Sequence, residues 1–195
     1  MYQIASIIIG ICLFALFTSI LINFTEPKNK RVKRQKKSLV ETGTMTLFFL
    51  AFYSLIRFRI GEITIINPTL QLILIILGLL MIVFGCFFNI LGRFNLGKNW
   101  ANQVKIYDNQ NLITTGTYSI VRHPLYASLM LMFYGACLVY PNYLAFLANT
   151  FIFIPFMYYR AKQEETLILE NFKEYKKYQS DVGMFFPKLR FFMRR

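Results

Sequence analysis

Charged residues are missing from long stretches of this chain and crowded into a few short ones. Ile4 to Phe24 contains no Asp, Glu, Lys or Arg. At about 1.5 Å rise per residue, a helix of that length matches a hydrocarbon core about 30 Å thick. Thr42 to Ile56, Leu70 to Leu91, Leu125 to Tyr140 and Leu144 to Tyr159 are equally free of charge. The pattern predicts five membrane helices. The third spans alone, whereas the second, fourth and fifth reach only about 24 Å and need interfacial flanks such as Arg57 and Arg59. Pro141-Asn142-Tyr143 separates the last two with a turn signal, which predicts a tight antiparallel helical hairpin. Ile4 to Phe24 reads as a span rather than a signal peptide, since no basic segment precedes it and no small-residue cleavage site follows.

Composition strengthens this reading. Of 195 residues, 56% are hydrophobic and 17% aromatic, more apolar than a soluble domain of this size. The fold class is therefore all-α and integral to the membrane. One domain is expected over 1–195, with N-terminal transmembrane helices in 1–91 and a catalytic region in 92–195.

The formal charge of +13 alone would suggest nucleic acid, but its placement does not. Of 22 Lys and Arg residues, seven lie between Lys28 and Lys37, four between Arg93 and Arg122, and nine from Arg160 onward. With five spans and an outside N-terminus, all but Arg57 and Arg59 fall on one side, which the positive-inside rule assigns to the cytoplasm. Topogenic charge and attraction to anionic headgroups account for the balance, and nucleic acid is excluded as a partner. Cys12, Cys86 and Cys137 all sit inside apolar spans without ligand spacing, so no disulfide or metal site is expected. The stretch from Pro27 to Lys37 is the one candidate loose segment.

Chemistry must then reside in two polar segments on the basic side. Arg93 to Pro124 is too long for a simple connection between helices. Within it, Asp108 to Asn111 is a turn candidate, Gly116 permits positive φ, and Pro124 suits the first position of a helix, which places His123, the sole histidine, at its N-cap. A helix N-terminus offers N–H groups to an anion. The second segment, Arg160-Ala161-Lys162-Gln163-Glu164-Glu165, continues the fifth span; Arg160 and Glu164 share one helix face, expected to extend through Ile168, Phe172 and Tyr175. Each segment has a plain structural explanation, a helix start or a surface ion pair. Their common position at one end of a bundle makes them candidates for a shared site.

The ordered elements L-G-K-N-W, L-I-T-T-G-T-Y-S-I-V-R-H-P-L-Y, E-E-T-L-I-L-E-N-F-K-E-Y-K-K-Y and G-M-F-F-P-K, over roughly Leu96 to Lys188, resemble the isoprenylcysteine carboxyl methyltransferase family. The resemblance implies an S-adenosylmethionine-dependent enzyme with a cytoplasmic cofactor pocket and a lipidic acceptor entering from the bilayer. By position it implies cofactor contacts from Gln103, Gln110, Asn111, Leu112, Ile113, Tyr118, His123, Pro124, Leu125, Tyr126 and Glu164, with Arg160 facing the acceptor carboxylate. Gln110 stands where many members have His, and Phe172 to Tyr175 is one residue shorter than the common form.

No G-x-G-x-x-G follows a strand and no strand and helix alternation is present, which excludes a soluble Rossmann methyltransferase. Methyl transfer to an ionised carboxylate needs alignment but no general base, and Arg160 suits carboxylate binding through its planar, permanently charged fork. An amine or hydroxyl acceptor must first lose a proton, to His123 or Glu164. Three readings stay open: a methyltransferase for a lipophilic carboxylate, which leads; one for a phospholipid amine or lipophilic hydroxyl; and a non-enzymatic membrane interaction protein.

Overall fold

A computed structural model describes residues 1–25, 32–35, 42–97, 105–107 and 111–188. Four helices appear where the hydropathy pattern places them: α1 (Tyr2–Thr25), α2 (Thr42–Arg57), α3 (Pro68–Leu96) and α4 (Pro124–Val139). The fifth is composite. α5 (Tyr143–Ala148) runs through a π-helical turn, Asn149–Phe153, into α6 (Ile154–Asn171). A short α7 (Tyr175–Asp181) follows. Tyr2–Ile22, Pro68–Leu96 and Tyr143–Asn171 are long and apolar enough to cross a membrane, and Gly43–Arg57 and Pro124–Val139 are shorter apolar helices. Large side chains such as Ile4, Ile11, Phe14, Leu80 and Phe84 are exposed along α1 and α3, as expected for surfaces bathed in lipid rather than water.

Two expectations need correction. The face of Arg160 and Glu164 does not run on to Tyr175, because the helix stops at Asn171: Phe172 is extended (φ −128°, ψ 103°) and α7 starts afresh at Tyr175. The chain is also not wholly helical outside its loops. β1 (Val32–Gln35) pairs antiparallel with β2 (Lys105–Tyr107), joining the basic run to the long polar loop. Lys-Arg-Gln carries no hydrophobic alternation from which such a strand could be read.

α3 is the central helix. On one side α1 packs Ala5, Cys12 and Leu16 against Ile75, Ile82 and Cys86. On the other, α3 meets α4 along a seam of small residues: a Cβ built on Gly78 would lie 2.5 Å from the Gly135 carbonyl oxygen, and one on Gly85 would lie 2.5 Å from Met132 Cγ. Absence of side chains there lets the backbones approach, the usual means of helix association where lipid removes the hydrophobic incentive. A second core joins α2, α4 and the composite helix through Phe48, Phe52, Phe133 and Phe153, with Phe52 and Phe133 ring centroids 4.5 Å apart.

The turn between α4 and α5 closes the end away from the polar segments. Asn142 Oδ1 accepts from Ala145 N (2.8 Å), while its Nδ2 donates to the carbonyls of Leu55 (3.2 Å) and Ile60 (2.9 Å). Tyr2 belongs to the same end, stacked on Tyr140 and bonded to Gln71 on α3. α4 and the composite helix therefore form the expected hairpin, with the turn tied to the α2–α3 connection. The opposite end gathers the start of α2, the end of α3, the start of α4 and the end of α6.

Candidate active site

Three chain segments build the polar end. Asn95, next to the last residue of α3, accepts through Oδ1 from Thr117 N (2.9 Å) and Thr117 Oγ1 (3.1 Å). This pins the 3-10 turn Gly116–Ser119, where Gly116 has φ +63° and a Cβ would collide with the Asn95 side chain. The chain then extends through Val121, Arg122 and His123. Arg122 N donates to Gly183 O (2.8 Å) and His123 N to Met184 O (3.1 Å), so the segment after α7 is strapped alongside. Pro124 opens α4 with His123 as its N-cap residue, and the His123 side chain makes no capping bond. It is aimed elsewhere.

That ring lies between two consecutive carboxylates of α6. His123 Nε2 is 3.2 Å from Glu165 Oε1, and Nδ1 is 3.5 Å from Glu164 Oε2. Burial by itself would lower the histidine pKa, but hydrogen bonding and the negative charge of Glu164 and Glu165 outweigh it, and the value is raised above 6.5. His123 thus holds its proton more tightly than an unperturbed histidine. Both ring nitrogens are committed to carboxylates.

The two glutamates differ in surroundings. Glu165, with its side chain 2% exposed, also accepts from Arg122 Nε (2.7 Å) and Gln179 Nε2 (2.8 Å). Arg122 in turn donates to the carbonyls of Gln179 and Val182, which seats α7. Glu164, 25% exposed, faces a different group: it accepts from Tyr126 Oη (2.5 Å) and from Arg160 Nε (3.4 Å). Tyr126 stacks on the His123 ring at 5.6 Å with 6° between planes, and the Arg160 guanidinium lies 6.0 Å from the Tyr126 centroid. Arg160 Nη1 reaches Met45 Sδ on α2 at 3.6 Å. A buried charge cluster of this kind survives only with each ion paired and hydrogen-bonded, and removing one partner costs about 3–5 kcal/mol.

Of the residues singled out from sequence, Arg160, His123, Tyr126 and Glu164 converge here. Pro124 and Leu125 form the first turn of α4 beside them; the Leu125 carbonyl accepts from Asn89 Nδ2 (3.1 Å). Tyr118 is buried, its carbonyl accepting from Tyr178 Oη (2.6 Å). Leu112 and Ile113 are partly covered and Asn111 is exposed. Gln103 and Gln110 lie outside the described residues. Sequence reasoning missed Arg122, Glu165 and Gln179. Glu165 could have been found as a second carboxylate beside the first, since a lone ion pair needs only one.

The fold and site together define an intramembrane helical protein with a charged, buried cluster at one end. A solved structure with a similar fold is that of the eukaryotic intramembrane Ras methyltransferase ICMT; the match has a TM-score of 0.61 and 24% identity, and covers 76% of this chain and 54% of that one. Residues 76–170 match the model of the isoprenylcysteine carboxyl methyltransferase (ICMT) family. The matched region begins within α3 and ends before α7, so it reaches further back than the motifs suggest and stops short of G-M-F-F-P-K.

Similar curated proteins include the probable protein-S-isoprenylcysteine O-methyltransferase of Oryza sativa subsp. japonica, 28% identical over 113 residues, which are 56% of this chain and 59% of that protein. The protein-S-isoprenylcysteine O-methyltransferase of Saccharomyces cerevisiae is 29% identical over 115 residues (57% and 48%). Its Xenopus laevis counterpart is 31% identical over 122 (58% and 42%). The chain spans about half the length of these relatives.

Proposed function

We propose that this protein is an integral membrane methyltransferase that moves a methyl group from S-adenosylmethionine to the carboxylate of a lipophilic acceptor, with a prenylated cysteine as the leading candidate. The carrying observation is the engagement of His123: with Nδ1 and Nε2 both turned to carboxylates, no histidine lone pair is available as a base. An acceptor that arrives ionised needs none. That favours a carboxylate over an amine or hydroxyl.

The residues present fit the donor. The first turn of α4 leaves backbone N–H groups without helical partners, suited to the carboxylate of an amino acid. Glu164, more open than Glu165, offers acceptor oxygens to an ammonium or hydroxyl. S-adenosylmethionine supplies a methyl group on a sulfonium, already activated for in-line displacement. Glu164, His123 and Tyr126 then fix one side of the site, while Arg160 aligns the acceptor carboxylate through its fork. Tyr118, Tyr126 and Met45 line it with surface that excludes water, and catalysis reduces to alignment in a dry pocket. Asn111, Leu112 and Ile113, together with Gln103 and Gln110, are the remaining donor contacts proposed.

The same reading places the pocket on the cytoplasmic face, with five crossings and the N-terminus outside. Tyr2 at the end opposite the site, and the alternation of ends along α1 to α6, support it. Arg57 and Arg59 at that far end would complete the short crossing of α2.

The test is incubation of the purified protein in lipid with radiolabelled S-adenosylmethionine and a panel of lipophilic acids, amines and phenols. Label appearing as a base-labile ester on acids alone is the expected result. Label on amines or phenols overturns the carboxylate assignment. No label together with no binding of the donor leaves a non-enzymatic membrane protein.

A further inference from the structure

Glu165 is placed on no part of the proposed reaction path, yet it ties the stretch before α4 to α7 as well as to its own helix. Its two oxygens receive Arg122 Nε at 2.7 Å, His123 Nε2 at 3.2 Å and Gln179 Nε2 at 2.8 Å, from the chain before α4, the N-cap of α4 and α7. Its side chain is 2% exposed, so it is sealed from substrate and solvent alike. Glu164, its neighbour, is the one turned toward Tyr126 and Arg160.

We propose that Glu165 is a positioning residue, which fixes the His123 ring from behind so that the ring's other nitrogen and stacked face hold Glu164 and Tyr126 in place. Adjacent residues on a helix project about 100° apart, so two carboxylates reach a single ring only when it stands in the groove between them. An imidazolium there links both, and each carboxylate keeps the proton on for the other. The groups facing the ring are Glu164 and Glu165 from α6, Tyr126 from α4, Arg122 from its own segment, and Phe185 from the strap beyond α7. Arg160 stands one residue further, over Tyr126, and Tyr175 of α7 faces Glu165. Deprotonation of His123 would leave Glu164 opposed only by Arg160 and the Tyr126 hydroxyl, and the donor side of the site would lose its frame.

This rests on the methyltransferase reading only where donor binding is measured. Because the chain has one histidine, a 13Cε1-histidine label in detergent-solubilised protein gives one NMR signal, and its titration requires no ligand. The wild type is expected to titrate above the 6.5 of an unperturbed histidine, and Glu165→Gln, which keeps the shape but removes the charge, to move the midpoint to lower pH. Calorimetry with S-adenosylhomocysteine should then show the variant matching wild type in mild acid and losing affinity as pH rises. A merely structural role predicts an equal loss at every pH. A wild-type midpoint at or below 6.5, or a midpoint unmoved by Glu165→Gln, overturns the proposal. Should the variant not fold, the wild-type titration still decides. Normal titration without any binding of S-adenosylhomocysteine would reject the methyltransferase reading and leave the role of Glu165 standing.

Discussion

If the proposed roles hold, Arg160→Lys should separate acceptor alignment from donor binding. The guanidinium is buried to within 7% of its side-chain surface, donates through Nε to Glu164 at 3.4 Å, and lies over Tyr126 with Nη1 against Met45. Lysine retains the positive charge but loses Nε and the planar fork that engages both oxygens of a carboxylate. One hydrogen bond to a charged group contributes about 1.5–3 kcal/mol, which converts to a fall of about 10- to 150-fold in kcat/KM for the acceptor. Donor affinity should stay within about threefold, because Glu164 keeps the Tyr126 hydroxyl and the His123 imidazolium as partners. The assay is methyl transfer to a prenylated cysteine analogue with the acceptor varied, paired with calorimetry of S-adenosylhomocysteine. Glu164→Gln is the complement and should weaken donor binding directly. Equal losses in both measurements for Arg160→Lys would refute the division of labour, and unchanged activity in both variants would make the two residues an ordinary ion pair.

Gly78→Ala should destabilise the protein by about 1–3 kcal/mol, since its Cβ would lie 2.5 Å from the Gly135 carbonyl oxygen, backbone that cannot swing aside, as well as against the Val139 side chain; Gly10→Ala, with nothing within 4 Å, is the matched control in thermal unfolding. Stability should also depend on His123. A folded pKa above the unfolded value of about 6.5 means that this contribution is complete below 6.5 and is lost as pH rises through the folded value. Thermal unfolding from pH 6 upward should show that decline, and His123→Gln should flatten it. Single cysteines at Arg34 and Lys177 should label from one side of sealed vesicles and a cysteine at Glu62 from the other; the opposite grouping would break the five-span topology.

The helices were legible because lipid imposes a simple rule: a spanning segment must be apolar and must satisfy its own backbone. α1 and α3 follow from that alone, and Pro124 with His123 before it marks the start of α4 by chemistry that is local in sequence. The π-helical turn at Asn149–Phe153 was not legible. Asn149 is fully buried and donates to Met130 O on α4, a contact between helices that no local pattern announces. The end of α6 was misread for a related reason. Ile168, Phe172 and Tyr175 keep a helical period, but Tyr175 is buried on a separate helix that Arg122 seats against the site. Arg122, Glu165 and Gln179 went unnoticed because they are 14 to 57 residues apart in sequence, and only the fold brings them within bonding distance.

Charge arithmetic at the site connects these observations to the choice of acceptor. Arg122, His123 and Arg160 are cationic and Glu164 and Glu165 anionic, so the cluster carries one positive charge in excess when His123 is protonated. In a buried setting an unbalanced charge attracts a counterion strongly. A carboxylate acceptor supplies that charge; a protonated amine would add to the excess. Deprotonating His123 to accommodate an amine would remove the excess and, in the same step, the link between Glu164 and Glu165. On the proposed reading, the arrangement that fixes the donor side of the site is therefore also the one that favours an anion on the acceptor side. A turnover rate that climbs with pH through the His123 titration, instead of holding and then falling, would reverse the assignment in favour of an amine or hydroxyl.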